Sequence, residues 1–280
     1  MITAETIKDI TSQIEVWHSQ GLSVGLVPTM GFLHEGHESL IKRSVAENDK
    51  TIVSDFVNPM QFGKNEDLET YPKDLKKDQE ICKRAGADLI FHPLAEEMYP
   101  KDFYSYLDMT TVSEGLCGSR RPDHFRGVCT VVAKLFNIVR PKNAYFGQKD
   151  AQQLAVIQRM VKDFNFPVNV VGCHTVREAD GLAKSSRNTY LTKEERKAAG
   201  VIYQGIKRAE DAIKQGERSA QKVKDLIIAT FNEEPMIKIE YVEITDWEVL
   251  KPVDELVRPV LVAVAVRLGK TRLIDNYIWE

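Results

Sequence analysis

The sequence predicts an α/β fold, a parallel sheet with helices on both faces, joined to a smaller α+β lobe at the C-terminal end. Three observations predict it. Short apolar runs of strand length alternate with amphipathic helical segments through the first two thirds of the 280 residues, the pattern that builds parallel sheets through crossover helices. After Asn188 the texture changes to charged helical sequence and closes on three strand-like runs. With 43% apolar and 28% charged residues, the chain has the balance of a globular protein that buries a full core.

Taken in order, SVGLVPT (23–29), TIVSDFVNP (51–59), DLIFHP (88–93), NAYFG (143–147) and VNVVG (168–172) read as strands. β-branched and aromatic residues fill them and turn residues bound them. Between them HESLIKRSVAEN, DLKKDQEICKRAG, VCTVVAKLFNIV and AQQLAVIQRMVKDF repeat apolar residues at helical spacing. KEERKAAGVIYQGIKRAEDAIKQG and SAQKVKDLIIATFN continue as helices, and IKIEYVEIT, PVLVAVAVRL and TRLIDNYIW as strands. Residues 1–176 are thereby assigned to the larger unit, 189–280 to the smaller and 177–188 to a hinge. No repeat or low-complexity segment interrupts them. Ligands of a parallel sheet gather beyond the carboxyl ends of its strands, so functional residues are expected just after each strand.

A formal charge of −3 argues against general nucleic-acid binding, which needs Lys and Arg in excess on one face. Cys82, Cys117, Cys129 and Cys173 show no CxxC spacing and read as reduced thiols. The N-terminal stretch MITAETIKDITSQIEVWHSQG lacks the apolar run of a signal peptide, and no segment approaches a membrane span. A cytoplasmic protein without nucleic-acid or membrane partners is expected.

Five constellations stand out. PTMGFLHEGHESL (28–40) places Gly31 and Gly36 in the turn after a strand, and His34 and His37 where the next helix begins. Glycine admits close backbone approach, and a helix N-terminus offers free N–H groups to a phosphate. Two imidazoles there can donate to phosphate oxygens, although the spacing alone also fits a metal site or a polar helix face. HxGH after a strand is how HIGH-type nucleotidyl-transfer enzymes place the phosphates of ATP. VNPMQF (57–62) offers Asn58 and Gln61, amides that hold hydroxyl and carboxylate groups, or else an Asn-Pro turn with a surface glutamine. FGQKD (146–150) sets a glycine and Lys149 at a helix start, with Asp150 as its cap and Gln153 one turn in. Lys184, Ser185, Ser186 and Arg187 form a basic, hydroxyl-bearing loop at the hinge, similar to the KMSKS-type loop of HIGH-bearing enzymes. Arg120, Arg121, His124 and Arg126 precede an apolar helix as an anion-binding rim or a subunit contact.

With these residues in place, the chain resembles the pantothenate synthetase (pantoate–β-alanine ligase) family of HIGH/KMSKS-type enzymes nearly end to end. The motifs that carry the likeness are VPTMGFLHEGH, FVNPMQFG with NEDLETYP, MYP, HFRGV, KLFNIV, FGQKD with QQL, TVRE with DGLAKSSRN, and TRLIDN. The resemblance implies a Rossmann-like N-terminal domain, a C-terminal lid and a homodimer. It also implies ATP- and Mg²⁺-dependent joining of (R)-pantoate to β-alanine through a pantoyl-adenylate, with release of AMP and diphosphate. ATP contacts then fall to Met30, Gly31, His34, Gly36, His37, Gly147, Gln148, Lys149, Asp150, Val176, Lys184, Ser185, Ser186 and Arg187. Of these, His37 is the implied proton donor, with His34, Lys149 and Arg187 as its catalytic companions. Gln61, Gln153, Asn58 and Met30 fall to substrate, and Asp78 to the Mg²⁺ region. A nucleotidyltransferase acting on another small acid or phosphate shares the same frame and is the alternative.

Four positions depart from the family pattern. Asp55 replaces an apolar strand residue, which requires either a less buried strand or a cationic neighbour. Asp123 adds negative charge before His124, His174 replaces a frequent proline, and Lys184 stands where many members carry methionine.

Overall fold

Local periodicity becomes architecture in the computed structural model, which describes residues 1–63, 66 and 68–280. Lys64, and Asn65 and Asp67 of the NEDLETYP motif, lie outside the described residues. The larger unit runs β1 (Ile2–Ala4), α1 (Ile7–Ser19), β2 (Val24–Thr29), α2 (Glu35–Glu47), β3 (Lys50–Asp55), α3 (Leu75–Ala85) and β4 (Leu89–Phe91). It continues through α4 (Ala95–Met98), α5 (His124–Val139), β5 (Asn143–Gly147), α6 (Ala151–Phe164) and β6 (Asn169–Cys173). All six strands pair in parallel in the order β1-β4-β3-β2-β5-β6. The chain winds outward from β2 through β3 to β4 and then returns to lay β5 against β2. That reversal opens a crevice between the carboxyl ends of β2 and β5.

Strand side chains alternate between the two faces. Leu26, Ile52, Leu89, Phe91, Ala144 and Phe146 pack with α1, α5 and α6, whereas Val27, Val53, Ile90 and Tyr145 pack with α2 and α3. The sheet is thus covered on both sides, as expected. Two boundaries differ from the sequence reading. The 51–59 run leaves the sheet at Asp55, because Asn58 accepts from the Met60 N–H (3.2 Å) and starts a 3₁₀ turn at Pro59–Gln61. β1, three residues long and mostly exposed, is too short to display a period and had no counterpart in the sequence reading.

The C-terminal lobe comprises α7 (Lys193–Ala198), α8 (Gly200–Lys214), α9 (Ala220–Asn232) and the antiparallel strands β7 (Ile237–Asp246), β8 (Val260–Leu268) and β9 (Thr271–Trp279), with β8 central. The charged run expected as one helix divides at Ala199. Ile202, Ile206, Ile227 and Phe231 close over Val262, Val264 and Val266 to form a separate core. All four cysteines are free thiols, three of them buried. Among the described residues, no helix is long and apolar enough to cross a membrane.

Candidate active site

The turn after β2 carries the histidine pair. His34 is the N-cap of α2, its Nδ1 accepting from the Gly36 N–H (3.1 Å), and His37 Nδ1 accepts from the His34 N–H (3.3 Å). Together they make a capping box built from two imidazoles, with ring centroids 4.1 Å apart. Because each Nδ1 is an acceptor, each ring carries its proton on Nε2 and presents Nε2–H as its donor. Burial, then Lys149 and Lys184, push His34 down to about 4, and burial, then His34 and Lys149, push His37 down to about 3. Both rings are neutral at physiological pH. Gly31 (φ +78) and Phe32 (φ +51) bend this turn through the left-handed region, which costs a non-glycine residue about 1–3 kcal/mol. Asp78 of α3 offsets the strain: its Oδ2 accepts from the Phe32 N–H (2.7 Å) and its Oδ1 from the Leu33 N–H (2.6 Å).

A connected set of amides lies beyond β3. Asn58 Nδ2 donates to Gln61 Oε1 (3.1 Å) and to Gly127 O (3.0 Å), while Tyr99 Oη donates to Asn58 Oδ1 (2.8 Å). Gln61 Nε2 points to Met30 Sδ at 2.7 Å. His124 Nδ1 donates to Gln61 O (2.8 Å), and its Nε2 accepts from Arg121 Nη1 (2.9 Å), so this ring is also neutral; burial and then Arg121 push it down to about 4. Arg121 is itself forked onto Glu66 by two 2.6 Å bonds. Of the basic rim, then, Arg121 and His124 buttress Gln61. Arg126 turns away to Asp123 (2.6 Å) and the Tyr106 ring, which neutralises the unexpected Asp123 charge.

The third wall comes from the end of β5 and the loop that carries Lys184 to Arg187. Asp150 occupies the N-cap position of α6 without making the expected side-chain cap; its Oδ2 lies 3.7 Å from Lys149 Nζ instead. Lys184 Nζ bridges Glu35 (2.8 Å) and Glu178 (3.1 Å), and Ser186 Oγ donates to Phe32 O (3.4 Å), so the KSSR loop is clasped onto the start of α2. β9 completes the wall. Asn276 Nδ2 donates to Gln148 O (2.9 Å) and Lys149 O (2.8 Å), while buried Asp275 is forked by Arg177 (2.7 and 3.0 Å).

These turns enclose a cavity of about 220 Å³ at the switch point. Every residue assigned above to ATP or substrate lines it except Gly31, which faces Asp55 and Asp78, and Gln148, whose side chain leans over Gly172 of β6. His174 lines it as well. Its floor is apolar, formed by Phe56, Val128, Val132, Leu135 and Phe146, except for Ser54 Oγ, a buried hydroxyl with no hydrogen-bond partner among the described residues. A larger space of about 840 Å³ adjoins it, sharing Lys149, Gln153 and Arg187 and walled by Tyr241, Arg267 and Arg272 of the C-terminal lobe. Asp78 is a correction to the sequence reading. It is 1% exposed, lines neither cavity, and has both oxygens on backbone amides, which leaves it unsuited to a metal. At Asp55 the strand is fully buried, which removes the first alternative, and His92, a cation when protonated, places Nδ1 3.5 Å from Asp55 Oδ2. Sequence reasoning placed His124 only in an anion-binding rim or subunit contact, and passed over Gly127, Ser54 and Asn276. Their signals were a glycine inside a helix and polar residues interrupting buried strands.

The fold and this cavity together define the class, an α/β protein with its site at the switch point of a parallel sheet. The family model described as Pantoate-beta-alanine ligase matches residues 2–278. The chain belongs to that family, and it is an enzyme that joins pantoate to β-alanine. The pantothenate synthetase of Clostridium botulinum (strain Kyoto / Type A2) is 53% identical over the whole of both chains, and that of Enterococcus faecalis is 55% identical over 100% of this chain and 99% of its own. The crystal structure of pantothenate synthetase from Thermus thermophilus superposes with a TM-score of 0.93 at 42% identity, covering 99% of each chain. The Francisella tularensis ligase, complexed with beta-gamma ATP and beta-alanine, gives 0.81 at 36% identity over 99% of this chain and 97% of its own.

Proposed function

We propose that ligation proceeds in two nucleophilic steps within this cavity, with ATP as co-substrate. The pantoate carboxylate attacks the α-phosphorus of ATP, forming pantoyl-adenylate and expelling diphosphate. The β-alanine amine then attacks the mixed anhydride and expels AMP. No protein nucleophile is needed, so the chain acts by positioning and by stabilising charge. The convergence of the neutral His34–His37 pair, Lys149 and the KSSR loop on one cavity carries this reading. The two Nε2–H groups are hydrogen-bond donors to the phosphates, a narrower role than proton donation, and Lys149, Ser185 and Arg187 meet the charge that develops on diphosphate. Gln61 and Gln153 orient pantoate over the apolar floor, where its methyl groups fit, Asn58 holds Gln61 in place, and Ser54 Oγ offers a further hydrogen bond.

The Francisella relative supports ATP and β-alanine as ligands here. Among the described residues no cluster of three His, Cys, Asp or Glu side chains could cage a metal, and Asp150 is the one carboxylate lining the smaller cavity. That donor set fits a Mg²⁺ that arrives on the phosphates and keeps most of its water, with Asp150 nearby. When bound, it would neutralise phosphate charge. Residues 177–188 act as the hinge between units 1–176 and 189–280, and the smaller unit acts as a lid excluding water from the adenylate. The working enzyme is a cytoplasmic homodimer, an assembly that light scattering would measure.

Exchange of labelled diphosphate into ATP tests the order of steps. It is expected with pantoate alone and without β-alanine, and an absolute need for β-alanine would overturn the two-step scheme. His37→Ala is expected to slow this exchange by ~10²-fold, the loss typical of one transition-state donor.

A further inference from the structure

Beneath the Gly31–Leu33 turn lies a cluster of titratable groups that the two chemical steps do not use. Asp78 holds the Phe32 and Leu33 amides from below. Asp55, 3% exposed at the end of β3, faces it. A Cβ on Gly31 would stand 2.3 Å from Asp55 Oδ1 and 3.2 Å from Asp78 Oδ2, so both carboxyls crowd against the underside of one residue. On its far side Asp55 is tethered by His92, whose Nδ1 donates to Asp55 O (2.8 Å) and lies 3.5 Å from Oδ2.

We propose that Asp78 is a positioning residue for the ligation, and that Asp55, tethered by His92, sets how firmly Asp78 holds the histidine turn. The proposal rests on the reading that His34 and His37 meet the phosphates of ATP. His34 follows Leu33 directly and caps α2, so the two amide bonds to Asp78 fix where both imidazoles stand. Without them the left-handed backbone at Phe32 keeps only the long Ser186 bond to its carbonyl and the Lys77 contact on its ring, and a displacement of about 1 Å at reacting groups is enough to cost about 10²-fold in rate. An ionised Asp78 accepts at both oxygens. A protonated one turns one oxygen into a donor and weakens one of the two bonds.

The neighbours set where that change falls. Burial, with the Asp55 carboxylate and Asp74 at the α3 N-cap adding to it, pushes Asp78 up to about 6 against the pull of the two amides. On α3, Cys82 is pushed up to about 12 by burial and by the same two aspartates, Asp78 and Asp55, and stays an uncharged thiol, while Lys77 lies over the Phe32 ring at 5.0 Å. Beyond β4, His92 is held above its usual value by its bond to Asp55, with Glu5 from the segment after β1 adding to this. The aspartate that departs from the family pattern is therefore placed to tune the support of the phosphate-binding turn.

The test compares Asp78→Asn, Asp55→Asn and His37→Ala in steady-state ligation from about pH 5 to 9, with thermal unfolding measured alongside. Asp78→Asn keeps the shape but offers one acceptor in place of two. It should lower kcat by about 10- to 100-fold and leave the KM for pantoate within about twofold, since Gln61 and Gln153 are untouched. Asp55→Asn removes the facing negative charge, lowers the proton affinity of Asp78, and should move the acid limb of the kcat profile to lower pH. A folded Asp78→Asn enzyme with wild-type kcat, or an Asp55→Asn enzyme with an unmoved acid limb, would overturn the proposal. Should Asp78→Asn not fold, the Asp55→Asn profile decides alone. Normal turnover in His37→Ala would refute the underlying reading of the histidines, whereas an impaired His37→Ala beside a normal Asp78→Asn would refute only the positioning role.

Discussion

Histidine is chosen for proton traffic because its ordinary pKa lies near neutrality, yet the buried imidazoles of this site are held far from it. His34, His37 and His124 are kept neutral down to about pH 4, 3 and 4, in each case with burial as the first cause. Folded values below the unfolded one mean that the stability they contribute is fully present above about pH 6.5 and is lost as pH falls toward 4. Asp78 works in the opposite sense. Its folded value of about 6 exceeds its ordinary 3.8, so its contribution is present below pH 3.8 and is lost as pH rises through 6. Between pH 7 and 5 three lowered histidines outweigh Asp78 and the raised His92, the unfolded chain binds more protons, and acidification should destabilise the fold. Urea titrations at the two pH values would show a lower midpoint at pH 5, and His37→Gln should narrow the gap. A midpoint that does not move would contradict the burial of these rings.

At the scale of elements, α5 does more than cover the sheet. Its Gly127 lets the helix press against the 3₁₀ turn so closely that a Cβ there would stand 2.2 Å from Met60 O, and Gly127 O also receives Asn58 Nδ2. Gly127→Ala must therefore push the turn and Gln61 outward. Overpacking of this kind costs about 1–3 kcal/mol, so a lower unfolding midpoint and a raised KM for pantoate are expected together, measurable by calorimetry and initial rates. The same helix shows why some of the site was legible in the sequence and some was not. Strands such as 143–147 and helices such as 151–164 write their period into adjacent residues, and turns such as HxGH and GQKD keep their chemistry within a few positions. The support of Gln61 by His124 spans 63 residues, and a carboxylate accepting backbone amides, as Asp78 does, has no local signature at all. The end of β3 was misjudged for a related reason: the apolar run continues through Phe56 and Val57 after ladder pairing has stopped.

For the molecule as a whole, the two lobes meet through an apolar contact and through polar ties beside the site. The larger space between the lobes is walled by Arg267 and Arg272 on one side and Lys149 and Gln153 on the other, beside an apolar contact in which Leu250, Leu261 and Ala263 join the core of the larger unit. Asn276 joins β9 directly to the carbonyls of Gln148 and Lys149, and Lys184 joins the hinge loop to Glu35. Each tie ends on a residue beside the groups proposed to meet the phosphates. Loosening one should admit water before it unfolds either core. Asn276→Ala deletes two bonds worth about 1 kcal/mol each while removing nothing from the interior of the C-terminal core. With pantoate and ATP but no β-alanine, the variant should release AMP faster than the parent enzyme by of order 10-fold, because the adenylate is more exposed to hydrolysis. Its unfolding temperature should stay close to the parent's, which separates a leak at the seam from general loss of structure. Equal AMP release by the two enzymes would mean that the contact between β9 and the lysine turn plays no part in excluding water.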